Sequence, residues 1–218
     1  MPPRKKPAKP IIETTADIKR GCRQLRKLCP NLKAIHKQIG DPPLRRHTAG
    51  FPGLARIVVG QQLSIASAGA IWKRLETTTQ PFSPDTFLNH NDETLRSVGL
   101  SRGKTKTLRG IAMAASEGTL NFSQLETASI DEIHEHLTAL PGIGPWTADI
   151  YCLFCIGTQD AFAPGDLALQ EAARIALKTE SRPSQNELVE LAERWRPWRG
   201  VAARLLWAYY ATKPHRAE

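Results

Sequence analysis

Apolar residues recur at helical spacing along nearly the whole chain. Ile133, Leu137 and Leu140 stand at i, i+4 and i+7, and Leu188, Leu191, Ala192 and Trp195 at i, i+3, i+4 and i+7, the rhythm of one buried helix face. Alternating runs of Val, Ile and Thr, which mark half-buried strands, are missing. Breaker clusters such as GDPPLRRH, TTTQPFSPD and TESRPSQ separate the apolar stripes instead. The pattern predicts an all-α chain of roughly ten helices. Several starts carry capping chemistry: Ser83-Pro84-Asp85 before TFLNH, Ser129 with Glu132, and Ser184 with Glu187, each pairing an N-cap oxygen with an acid inside the first turn. Trp72, Trp195 and Trp198 fall on the apolar stripes and read as core.

Two stretches interrupt the helical rhythm. In LPGIGPWTAD, residues 140–149, Gly142 and Gly144 permit positive φ and close backbone approach, while Pro141 and Pro145 fix φ and remove donors. Trp146 opens the next helix. The turn presents backbone N–H groups at a helix N-terminus, an arrangement suited to an anion such as a nucleic-acid phosphate; a purely structural helix connector would look the same. A degenerate echo, LRSVGLSRGKT, lies upstream at residues 95–105. The second interruption is DAFAPGDLALQEAARIAL, where Pro164 and Gly165 break the chain, Asp166 takes an N-cap position and residues 167–177 read as helix. Asp166 is at once a cap and a carboxylate near the positive end of a helix dipole, able to stabilise developing positive charge.

Composition adds partners rather than fold. The net charge is +9, but Arg4, Lys5, Lys6 and Lys9 supply four of those charges, leaving +5 for the rest. A Pro-rich basic arm over residues 1–10 cannot build a core, and such arms commonly hold polyanions. Residues 96–109 form a second basic run without an acid, including Arg102, Lys104 and Lys106. No apolar signal region or membrane-length run occurs, and Cys22, Cys29, Cys152 and Cys155 suit a reducing compartment. These features predict an intracellular protein of cytoplasm and nucleoid, or of the nucleus in a eukaryote.

LPGIGPWTAD followed by FAPGD resembles the helix-hairpin-helix DNA glycosylase superfamily, whose signature is an LPGxGxxTA hairpin and, about twenty residues later, a loop ending in an essential aspartate. Within it, residues 53–75 (GLARIVVGQQLSIASAGAIWKRL) and 195–207 (WRPWRGVAARLLW) resemble the 3-methyladenine DNA glycosylase II branch, over residues 51–210 in all. The resemblance implies a two-lobed helical fold with the active site in the cleft between lobes. Residues 51–160 form the central lobe carrying the hairpin; residues 11–50 and 161–218 form the other, and the extra N-terminal β-domain of some bacterial members is absent.

The same resemblance implies roles. Asp166 is the catalytic carboxylate; Trp146 and Trp207 line the base pocket; Gln62, with Leu63 beside it, is the wedge that fills the gap left by an extruded nucleotide, although a buried helix corner would also explain GQQLS. Amides of Gly142, Gly144 and Trp146 grip a phosphate, helped by a monovalent cation on the carbonyls of Thr138, Leu140 and Ile143. Bifunctional members keep a nucleophilic lysine where this chain has Trp146, so hydrolysis without strand cleavage is expected. The two cysteine pairs do not match the grouped cysteines of the iron–sulfur relatives, and no cofactor is required. The implied function is removal of alkylated purines from double-stranded DNA by a monomer. A same-fold enzyme for deaminated, oxidised or mismatched bases, or a non-catalytic binder of DNA structure, stays open.

Overall fold

The computed structural model describes residues 10–213; the basic arm, up to Lys9, lies outside them. Among the described residues there are thirteen α-helices and one π-helical segment, and no strand beyond a single antiparallel bridge between Ile11 and Thr158. The count exceeds the expected ten because α5 (Pro84–Leu88), α6 (Asp92–Ser97) and α8 (Phe122–Thr127) are too short to show an apolar period.

Two compact units divide the chain at Arg46/His47 and Ile156/Gly157, a few residues ahead of the boundaries at 50/51 and 160/161 read from the sequence. Gly157 marks the second division physically. Its φ of +80 ends the π-helical segment Cys152–Ile156, and its carbonyl accepts from Ile12 N at 2.7 Å.

In the first unit α1 (Thr15–Leu28) and α2 (Pro30–Ile39) from one end of the chain pack with α11 (Leu167–Leu177) and α13 (Arg199–Tyr210) from the other, and α12 (Gln185–Glu193) covers α11. Ile18, Leu25, Leu32, Leu169, Leu188 and Leu205 are fully buried there. So are Trp195 and, nearly, Trp198, as their spacing predicts. The approach of α1 to α13 is close enough that a side chain at Gly21 would strike Val201 and Trp198. Arg204 is buried on α13, donating to Leu44 O (3.0 Å) and Gly200 O (2.7 Å). Burial, with the charges of Arg46 and Arg45, pulls it down to about 9.

In the second unit α3 (Phe51–Gly60) is the central element, touching α4 (Ile65–Thr78), α7 (Arg102–Ser116) and α10 (Pro145–Tyr151). The helix α9 (Ile130–Thr138) packs on α10, and α5 and α6 pack on α7. Phe51, Phe82, Phe87 and Trp72 form an aromatic cluster with centroids 4.9–5.8 Å apart, which accounts for Trp72. The capping boxes at Ser129/Glu132 and Ser184/Glu187 are both formed, and Ser83 caps α5.

Candidate active site

The turn between α9 and α10 is tight. Leu140 N donates to Leu137 O and Ile143 N to Leu140 O, each at 3.1 Å, while Ile143 is buried beneath the turn. Gly142 has φ +86, and a methyl there would overlap Thr107 Oγ1. Gly144 differs: it is the N-cap of α10 in an extended conformation, and a methyl on it would meet nothing within 4 Å. No internal packing therefore requires glycine at position 144, and its backbone stands unobstructed at the N-terminus of α10. The amides of Gly142 and Gly144 donate to no other described residue, Pro145 at the first helical position has none to offer, and the N-terminus of α10 carries no side-chain cap. The upstream echo shares this layout, with Gly99 at φ +102 two residues before the N-cap of α7, but there Ser101 Oγ fills the capping role by accepting from Lys104 N.

A brace holds the hairpin's two helices. His134 Nε2 on α9 lies 2.8 Å from Asp149 Oδ1 on α10, and that hydrogen bond, with the charges of Asp149 and Asp131, raises the imidazole pKa above its ordinary 6.5 despite burial. The folded chain thus holds this proton more tightly than the unfolded one. The stabilisation is complete below pH 6.5 and is lost as pH rises through the raised folded value. His134→Gln is expected to lower Tm by about 2–4 °C in acid, the equivalent of roughly 1 kcal/mol for a chain of this size. At alkaline pH the gap from the parent protein closes; thermal melts of both proteins at the two extremes check this, and an equal gap at each would contradict it.

Asp166 caps α11 as the sequence predicts. Its Oδ1 accepts from Leu169 N (2.8 Å) and from Trp207 Nε1 (3.0 Å). The half-buried carboxylate is aimed from two directions, by its own helix and by α13. Trp207, read from the sequence as a pocket wall, is therefore also the group that orients the acid.

Gln62 and Leu63 lie between α3 and α4. Both are exposed, Leu63 at 41% and the following Ile65 at 89%, so the buried-corner alternative is excluded. Gln62 adopts φ +55, and Leu63 N donates back to Gly60 O at 3.3 Å.

Comparison with known proteins places the chain in a family. Residues 55–197 match the HhH-GPD superfamily of base excision DNA repair proteins. The chain belongs to that family. Within the HhH-GPD superfamily it is similar to the alkylbase DNA glycosidase-like protein mag2 of Schizosaccharomyces pombe, 27% identical over 88% of this chain and 93% of the relative. It resembles the solved structure of the 3-methyladenine DNA glycosylase Mag1 of the same yeast in complex with abasic DNA, at TM-score 0.81 and 27% identity over 86% of this chain and 95% of that one. A DNA-3-methyladenine glycosidase structure from Bacillus halodurans is 31% identical at TM-score 0.71, over 84% of this chain and 90% of that one.

Other side chains of this HhH-GPD chain find different places. Arg102 and Lys106 are exposed, and with Arg96 and Arg109 they line an open depression of about 510 Å³ that reaches Pro141 of the hairpin. Lys104 does not join them. Its Nζ turns inward onto the carbonyls of Val59 and Gln61, each at 2.8 Å, which removes it from the phosphate-facing set that the basic run suggests.

All four cysteines are buried thiols. Cys22, His36 and Asp41 bring one ligand-type atom each within 4.8 Å of the others. Burial, then the charge and hydrogen bond of Asp41, push the Cys22 thiol up to about 12. Protonated, it donates to Asp41, which also holds His36 Nε2 at 2.7 Å. The trio clasps α1, α2 and the loop after α2. No described helix is long and apolar enough to cross a membrane.

Proposed function

We propose that this chain is a monofunctional DNA glycosylase that extrudes alkylated purines of the 3-methyladenine and 7-methylguanine type from double-stranded DNA and hydrolyses their N-glycosidic bond. The observation that carries the reading is the Asp166 carboxylate, set at the N-terminus of α11 and aimed by Leu169 N and Trp207 Nε1, within a family of base excision repair proteins. The names of the relatives support the alkylated base.

The chemistry follows from the substrate. A purine alkylated at N3 or N7 carries positive charge, so the glycosidic electron pair leaves with it to give a neutral base and an oxocarbenium-like sugar. Asp166 stabilises that cation electrostatically. Water then adds to the sugar carbon and loses its proton, leaving an abasic site. Each of Trp146 and Trp207 offers an indole face, which attracts a desolvated cationic base by about 2 kcal/mol over a neutral one. Trp146 supplies no amine, so a covalent sugar adduct and the strand cleavage that follows from it do not form.

Holding the duplex falls to backbone groups. The amides of Gly142 and Gly144 meet a phosphate at the N-terminus of α10, and Arg102 and Lys106 add charge that salt screens. The carbonyls of Thr138, Leu140 and Ile143, at the negative end of α9, suit a monovalent cation; Leu140 O accepts from Ile143 N and keeps a second lone pair. Gln62 fills the gap left by the extruded nucleotide and hydrogen-bonds the orphaned base, with Leu63 stacking beside it. The protein works as a monomer where the genome is kept, and hydrolysis calls for no redox group.

A duplex with one 7-methylguanine tests the reading. Incubation is expected to produce a break at that position only after alkali or heat. Breakage without either would overturn the monofunctional assignment. Release of uracil or 8-oxoguanine from parallel duplexes, with no alkylated purine released, would replace the substrate class.

A further inference from the structure

We infer that Lys104 is a positioning residue that holds the wedge loop, residues 60–63, in its inserting shape by bonding the loop backbone, and is not a DNA contact. The inference rests on the wedge reading of Gln62 given above.

Three observations converge on it. First, Lys104 Nζ donates to Val59 O and Gln61 O, each at 2.8 Å. These carbonyls belong to the end of α3 and the residue after it, the negative pole of that helix, and α3 brings no basic side chain of its own to its last turn. Second, the lysine is badly placed for its own helix. It stands in the first turn of α7, the positive pole, where no acid accompanies it and a cation is unfavourable. Burial also works against its charge, lowering its pKa. The partner that compensates is the carbonyl pair of α3.

Third, the loop needs support. Gln62 is a non-glycine residue at φ +55, a left-handed conformation disfavoured by its own Cβ, and its side chain is exposed rather than locked in a core. Gln61 is fixed instead. Lys104 takes its carbonyl, while its side-chain Nε2 donates to Thr147 Oγ1 on α10 at 3.0 Å. One residue is thus tied to α7 through its backbone and to the hairpin helix through its side chain. Gln62 and Leu63 are left to project from a fixed base, so less ordering remains to be done when DNA is entered.

The wedge acts only where a partner strand leaves a gap, which separates positioning from general damage to the fold. Single-turnover release of 7-methylguanine is measured in a paired duplex and in single-stranded DNA, for the parent protein, Gln62→Ala and Lys104→Met. Methionine keeps most of the lysine's length and removes its donors. The expected result is a duplex to single-strand rate ratio that falls about tenfold in Lys104→Met and falls likewise in Gln62→Ala. If Gln62→Ala lowers the ratio and Lys104→Met does not, the wedge stands and the role of Lys104 falls. Equal slowing of both substrates in Lys104→Met would reduce the lysine to a folding contact and overturn the proposal. An unchanged ratio in Gln62→Ala removes the wedge reading, and this inference with it.

Discussion

Asp166→Asn is expected to slow base release by about a thousandfold or more, while duplex binding stays close to that of the parent protein. Asparagine isolates the charge. Its side-chain oxygen can still accept from Leu169 N and from Trp207 Nε1, as Asp166 Oδ1 does, and it caps a helix about as well as aspartate. The cap and these two bonds therefore persist while the negative charge, which the proposed function sets against the sugar cation, is gone. Single-turnover release from a 7-methylguanine duplex, read beside a binding isotherm on the same DNA, checks both halves. Release at an undiminished rate would remove Asp166 from the chemistry. Loss of binding together with release would mean that the residue serves the fold.

The two hairpin glycines should separate as sharply. Gly142→Ala is expected to cost about 3 kcal/mol, or roughly 6–12 °C in Tm, because φ is +86 and the new methyl overlaps Thr107 Oγ1. Gly144→Ala has neither penalty, since its backbone is extended and a methyl there meets nothing within 4 Å. Its Tm should stay near that of the parent protein while duplex affinity drops about tenfold, the methyl standing where the proposed phosphate contact lies. Thermal melts and binding isotherms of the two variants decide it. Unchanged affinity in Gly144→Ala would mean that the turn is only a connector.

What was legible in the sequence was local. The capping boxes at Ser129 and Ser184, the span of α11 and the N-cap role of Asp166 all depend on residues within a few positions of one another, and all are present. The pairing of LPGIGPWTAD with FAPGD was equally legible, because each motif is dictated by its own turn. The remainder depends on partners distant in the chain. Lys104 reads as one more charge in a basic run until α7 brings it to carbonyls more than forty residues away. Trp207 reads as an aromatic wall until α13 sets its indole N–H against Asp166, and a buried helix corner is the simpler reading of Gln62 until its side chain is seen to be exposed. Side-chain type and spacing carry no record of such encounters.

The division of the chain has a consequence for how the enzyme comes into being. The unit that carries the hairpin is one uninterrupted segment, His47–Ile156, whereas the unit that carries Asp166 is assembled from both ends of the polypeptide. Made from the N-terminus onward, the unit with the hairpin has all its sequence in hand before the other, which must wait for α13 to deliver Trp207. In the proposed function, the residues of the hairpin are therefore made before the acid and the indole that orients it can meet.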